Sequence, residues 1–286
     1  MVIGTALAQE GSQEYTSSGS YSFTVPDNTY KISVVCIGGG GGSSGNGSQN
    51  PKGGQGGSLA YGTISVTPGQ SYTVVVGAGG ASGAFDGPGG NGGASYIALG
   101  GSTLIQAAGG EGGNNTNATS NIIHASVTIS GSNTGGTTTG SSTSGSGGGG
   151  AAGYSGNGGN GGTSSVKAGT DGAGGGGSGG AFGSDGSFLN TSLAWGGRGG
   201  GTNIYGEGLS GIAVFPDYSS GGDGGEGFQG SSVSGIRRDP KYGGGAGSAG
   251  EDSYLGAAFG GRSGNGGAVR IIWPAQTRRY PSTNVA

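Results

Sequence analysis

A chain of 286 residues in which 82 are glycine and only 9% are charged lies far from ordinary globular usage, and its length allows one or two domains. The net charge of -3 leaves no basic field for nucleic acid or an anionic membrane. The single cysteine excludes an internal disulfide and a cysteine-based metal site, while 8 prolines and no sustained Gly-X-Y period exclude collagen.

The chain opens on "MVIGTALAQEG", in which Ala6-Leu7-Ala8 imitates a signal-peptidase site without a basic leader or a long apolar run. Residues 1–13 are expected to form an ordered N-terminal arm, with a truncated signal as the alternative. Residues 14–286 then form one glycine-rich domain. Its β-rich part is expected over 14–110. In "YSFTVPDNTYKISVVCIGG", Tyr21, Phe23 and Val25 alternate with polar residues, Pro26-Asp27-Asn28 turns, and Ile32 to Ile37 reads as a buried strand holding Cys36. In "SLAYGTISVTPGQSYTVVVGAGG", Leu59 to Val66 and Tyr72 to Val76 are strands, and Pro68-Gly69 predicts a hairpin between them. Weaker strand signals follow in "ASYIALG", "STLIQAAGG" and "NIIHASVTISG". No 3.6-residue apolar period predicts a helix, and interior glycine costs a helix about 1 kcal/mol per position.

Glycine dominates residues 111–267. In "GYSGNGGNGGT", Tyr154, Asn157, Asn160 and Thr163 share one phase of three, and glycine fills most of the other two. The same phase holds Phe85, Pro88, Asn91, Ala94 and Ile97; Lys52, Gln55 and Ser58; Asp223, Glu226 and Gln229; and Arg262, Asn265 and Ala268. A flexible linker, the competing reading, has no reason to keep such a phase. An extended helix with three residues per turn has one, because each phase occupies its own face. Such helices have no internal hydrogen bonds, so their amides must pair with neighbouring helices. The expectation is a packed polyglycine II helix bundle over 111–267, combined with an antiparallel β-sandwich-like sheet in a mainly β fold. A closing strand over 268–274, with Val269, Ile271 and Trp273 on one face, and a C-terminal tail complete it.

The segments "GSYSFTVPDNTYKISVVCIGGGGG", "GGSLAYGTISVTPGQSYTVVVGAGG", "GGAAGYSGNGG", "IYGEGLSG" and "GGAVRIIWPAQTRRYPSTNV" resemble the glycine-rich domain of tail-fibre and adhesin proteins of tailed bacteriophages. The resemblance implies a virion structural protein, often receptor-binding, whose tip can be a polyglycine II sandwich. Long fibres also carry shaft repeats and an attachment domain, neither visible here, so the expectation is a tip, a short fibre or a decoration protein. The resemblance further implies a homo-oligomer, with a trimer favoured and the arm contributing to contact, located on the virion or, alternatively, secreted or at a cell surface.

The residues suggest no catalytic constellation. His124 is the sole histidine, and no nucleophile elbow of the G-x-S-x-G type sits between a strand and a helix. Asp223 and Glu226 would stand about 9 Å apart at 3.1 Å per residue, a spacing inverting glycosidases use, but on a flat helix without a cleft. Asp27, Asp86, Asp171, Asp185, Asp217, Asp223 and Asp252 sit in turns without an EF-hand or a G-G-x-G-x-D repeat. No enzyme activity, cofactor or metal is therefore expected, and a glycan depolymerase stands third among the readings. Binding is expected of loop aromatics where glycine stops: Phe182, Phe188, Trp195, Tyr205, Phe215, Tyr218, Tyr254 and Phe259. Capping the bundle ends or filling a subunit interface is the alternative role for these side chains. The leading function is a non-enzymatic tail-fibre tip or adhesin binding a bacterial surface receptor, protein or glycan, beside other virion proteins. The alternative is a capsid or tail decoration protein or a self-assembling extracellular filament subunit. No run approaches the roughly 18 apolar residues of a membrane span, so membrane insertion is not expected.

Overall fold

The computed structural model describes residues 9–45, 52–85, 87–115, 122–124, 130–133, 146–163, 169–173, 176–177, 179, 196–207, 209–213, 242–247, 262–275 and 278–281. The fold is mainly β, with no helix among these residues. Its strands are β1 (Gly11–Tyr15), β2 (Gly19–Thr24), β3 (Lys31–Ile37), β4 (Leu59–Ser65), β5 (Ser71–Val76), β6 (Ser95–Leu99), β7 (Ser102–Ala107), β8 (Ile123–His124), β9 (Ser130–Asn133) and β10 (Ala268–Trp273). They form two five-stranded antiparallel sheets, ordered β1-β10-β3-β4-β9 and β2-β5-β6-β7-β8.

Alternation decides which side chains face the other sheet. Phe23, Val25, Tyr72, Val74, Val76, Ile97 and Ile105 from the second sheet meet Ile32, Val34, Cys36, Ile64, Val269 and Ile271 from the first in one buried core. Fully burying an aliphatic side chain of this kind is worth about 1.5–3 kcal/mol. Val269 and Ile271 face this core, and Trp273 packs against it, as the alternation in "AVRIIW" predicts. The terminal strand β10 lies between β1 and β3, from Gly11↔Trp273 on one side to Ala268↔Ile37 on the other. The long glycine-rich middle therefore returns to the N-terminal sheet. Gly11–Gln13, read in sequence as the end of an arm, are the first three residues of β1.

The hairpin expected at Pro68-Gly69 is a correction. The turn exists, with Gln70 N–H donating to Thr67 O at 3.0 Å and Gly69 at φ 78°, but β4 and β5 belong to different sheets. Pairing β4 with β5 would put Ile64, Val66, Tyr72 and Val74 on one sheet's surface. Arching the chain over the edge instead buries all four in one core between the sheets. The true hairpin joins β6 to β7 through Gly100 and Gly101, whose φ values of 55° and 83° suit a two-residue loop that other residues enter at a cost.

Beyond the strands, glycine segments lie side by side and exchange backbone hydrogen bonds in threes. Along 38–45, the N–H groups of Gly38, Gly41 and Ser44 donate to Ser58, Gln55 and Lys52; those of Gly39, Gly42 and Gly45 to Gly93, Gly90 and Gly87; those of Gly40 and Ser43 to Asn265 and Arg262. Its carbonyls accept in turn from Gly80 and Gly83, from Gly110 and Gly113, and from Ala246. One glycine segment is thus bonded to six neighbours. A second such segment, 147–152, donates from Gly147 and Gly150 to Gly162 and Gly159, from Gly148 and Ala151 to Gly197 and Gly200, and from Gly149 and Ala152 to Gly54 and Gly57. Glycine is required sterically: a Cβ on Gly41 would stand 2.0 Å from the Glu111 carbonyl oxygen.

Candidate binding surface

Antiparallel register places Glu14, Arg270, Val35 and Tyr61 in one row across the first sheet, on the face turned away from the sandwich core. Apolar groups cover most of that face. Val35, Ile37, Leu59, Tyr61, Ala268 and Ile272 pack against Ala152, Tyr154, Ile204, Tyr242 and Tyr280 in a second buried cluster. Tyr154 stacks on Tyr280 with ring centroids 5.7 Å apart and tilts against Tyr61 at 5.8 Å.

Arg270 enters this cluster because β10 alternates and its even positions face outward. It is 3% exposed, and a buried guanidinium requires compensation. Its Nε lies 3.1 Å from Glu14 Oε1; this is an ion-pair contact, outside hydrogen-bond angles, and Nη1 has no hydrogen-bond partner among the described residues. The Tyr205 ring closes over the guanidinium, 4.8 Å from centroid to Cζ. The Tyr205 hydroxyl donates to Glu14 Oε2 at 3.2 Å, and its backbone N–H donates to Asn203 Oδ1 at 2.7 Å. Tyr205 nevertheless remains 47% exposed. Two residues on, the Glu207 carboxylate accepts a hydrogen bond from the Ser155 hydroxyl, and the Glu207 N–H donates to Pro281 O.

The phenols beneath this surface are held in their neutral form. Burial pushes the Tyr154 hydroxyl well above its ordinary range, with Tyr280 adding to the effect. Burial likewise raises Tyr280, and it raises Tyr242 with help from Tyr205 and Glu14. The Tyr280 hydroxyl donates to Ile204 O at 2.6 Å and the Tyr154 hydroxyl to Asn203 O at 3.1 Å, which fixes the 203–207 loop from below.

Of the loop aromatics singled out in the sequence, Tyr205 is at the centre of this surface. Phe182, Phe188, Trp195, Phe215, Tyr218, Tyr254 and Phe259 lie outside the described residues. The same stretch exposes Leu209 at 67% and Ile212 at 41%, which sequence reading did not single out. Nor did it find Glu14 and Arg270: a lone charge in each of two distant strands carries no local signal until register sets them opposite. Among the aspartates considered for calcium, Asp171 Oδ1 accepts from Ala213 N–H at 2.7 Å, and Asp27 is exposed in its turn; Asp86, Asp185, Asp217, Asp223 and Asp252 lie outside the described residues. Among the described residues no group of three or more His, Cys, Asp or Glu side chains gathers to hold a metal, and no helix is long and apolar enough to cross a membrane. A family model described as a glycine-rich domain matches residues 16–274. No curated protein matches the chain.

Proposed function

This chain belongs to the glycine-rich domain family, and from that premise we propose that it is a non-enzymatic adhesin of a virion, a fibre tip that binds a bacterial surface receptor. The observation that carries the reading is Tyr205: an aromatic ring that stays half exposed while its hydroxyl, one face and its backbone amide are all held. A fixed exposed aromatic is a binding anchor, because little freedom remains to be lost on contact. The resemblance of the β-entry and closing segments to tail-fibre domains supplies the biological setting.

The scaffold in this reading is a bundle of polyglycine II helices. Its support is the rotation of hydrogen-bond partners every three residues along 38–45 and 147–152, the period of a three-fold extended helix. Such a lattice leaves almost no amide unpaired and presents loops from a stiff base. The protein works as a homo-oligomer, with a trimer favoured.

Adsorption tests the function. The purified protein is expected to bind host cells and to block infection by the corresponding particle. Stoichiometric copies on a capsid without any adsorption would replace the adhesin by a decoration protein, and clearing of host capsule by the protein alone would replace it by a depolymerase. Sedimentation equilibrium checks the assembly, with a mass three times that of the chain expected.

A further inference from the structure

We propose that the rim formed by residues 77–85 is the contact through which copies of this chain assemble, each rim receiving an extended glycine-rich segment of a second copy. The proposal rests on the homo-oligomer and polyglycine II readings and gives the assembly its interface.

Segment 38–45 is bonded to six neighbours, whereas 77–85 beside it is bonded to three. Gly80 and Gly83 N–H donate to Gly40 and Ser43 O at 2.8 Å; Ala78, Ala81 and Ala84 O accept from Gly93, Gly90 and Gly87; Gly77 and Gly80 O accept from Gly267 and Gly264. Its remaining sides are open. The N–H groups of Ala78, Ala81 and Ala84, and of Gly79, Ser82 and Phe85, have no hydrogen-bond partner among the described residues, nor have the carbonyls of Gly79 and Ser82. Ala78, Ala81, Ser82 and Ala84 are exposed, and Phe85 at the end of the rim is 61% exposed. Unpaired donors and acceptors in a row form a template for another chain, as they do at a sheet edge. The adjoining segment 87–93 is closed by contrast. Gly89 and Gly92 N–H donate to Gly113 and Gly110 O, Asn91 Oδ1 accepts from Gly112 N–H at 2.8 Å, and Pro88 has no N–H to offer.

Spacing selects the occupant. Each row of rim donors repeats every three residues, about 9 Å along a three-fold extended helix. A β-strand repeats every two residues, about 7 Å, and loses register against the rim after one bond. A segment of the same three-residue period keeps register, provided it lacks a Cβ where the backbones meet. No residue of 77–85 carries a charge, so electrostatic steering favours no other partner. This chain, with its 82 glycines, is itself built of segments that fit. Around a three-fold axis each copy gives one segment and receives one, the head-to-tail contact that closes a ring.

Amide hydrogen exchange of the full chain over a concentration series, alongside sedimentation equilibrium, is the test. The amides of Ala78, Ala81 and Ala84 are expected to exchange fast in dilute protein and to slow by about tenfold or more as the oligomer forms. Ala81→Pro removes a donor that has no partner within the chain, and its fixed φ of about −65° suits a three-fold extended segment. It is expected to leave the melting temperature of the dilute chain unchanged and to weaken association by about tenfold, while Ala81→Ser, which keeps the N–H, associates like the wild type. Unchanged association in Ala81→Pro overturns the proposal. An oligomer whose rim amides exchange fast at every concentration also overturns it and leaves the homo-oligomer standing. A chain that stays monomeric at every concentration overturns both and leaves the rim to a different protein. Should Ala81→Pro fail to fold, exchange of the wild-type rim decides alone.

Discussion

Gly159 and Asn160 are neighbours in sequence with opposite surroundings. A Cβ on Gly159 would come within 1.9 Å of the Thr170 carbonyl oxygen and 2.7 Å of the Gly179 nitrogen, while its own N–H and C=O pair with Gly177 and Gly150. Asn160 is exposed. Gly159→Val is therefore expected to cost about 3 kcal/mol or more through overpacking and lost hydrogen bonds, whereas Asn160→Val stays within about 0.5 kcal/mol. Equal melting temperatures would show that the three-residue phase has no structural meaning. Glu14 and Arg270 make a second pair of unequal partners. Removing Glu14 strands a guanidinium that is 3% exposed, a class of change costing about 3–5 kcal/mol when both groups are buried. Because Glu14 is 35% exposed, Glu14→Ala is expected nearer 2 kcal/mol. Arg270→Met, which fills the same space and leaves Glu14 in water, is expected to cost less in denaturant melts. The reverse order would mean that Arg270 is not the group needing compensation.

At the scale of elements, β1 ties the N-terminal region to the terminal strand. A chain starting at Gly11 keeps every pair from Gly11↔Trp273 to Tyr15↔Val269, whereas one starting at Glu14 loses the pairs of Gly11, Ser12 and Gln13. The shorter chain exposes one edge of β10 and part of Trp273, which packs on the core and against Phe23 at 5.7 Å. Its urea midpoint is expected to fall clearly below that of the chain starting at Gly11. Identical midpoints would reduce β1 to an ornament of the sheet edge. Strands β2, β3, β4, β5 and β10 were legible from their Val, Ile, Tyr and Phe, whereas β1, GSQEY, carries one such residue and was divided between an arm and the domain. Their partners were not legible. The Pro68-Gly69 turn has hairpin residues, yet arches between sheets, since local turn chemistry bends the chain without specifying what the emerging strand pairs with. That choice belongs to burial, which places Val66 and Tyr72 in one core.

The whole molecule closes at its C-terminal end. Beyond β10, Tyr280 N–H donates to Ser33 Oγ and its hydroxyl to Ile204 O, so the tail binds strand β3 to the loop under Tyr205. Burial raises the Tyr280 phenol above the value of about 10 it has in the unfolded chain. The folded protein then holds a proton that the unfolded chain releases. The stability this provides is complete below about pH 10 and is lost as the pH climbs toward the raised folded value. Denaturant melts are expected to be flat in this respect between pH 8 and 9 and to fall above pH 10. Tyr280→Phe is expected to lose about 1 kcal/mol at pH 8 with the hydrogen bond, and to decline less steeply above pH 10, with Tyr154 supplying the remaining slope. An unchanged slope in Tyr280→Phe would place the alkaline transition elsewhere.

Composition and period determined by themselves that this chain would be β-rich, without helix signals, and marked by a glycine phase of three, because these properties are local: alternation sets strand faces, and glycine removes the Cβ that would hold segments apart. Only the tertiary structure decided that β10 sits between β1 and β3, that segment 38–45 has six bonded neighbours, and that Glu14, Arg270 and Tyr205 meet. Those contacts join residues as far apart as Glu14 and Arg270. A side chain's partner across such a separation depends on register, and register is set by the joint burial of both sheets rather than by any stretch of sequence read alone.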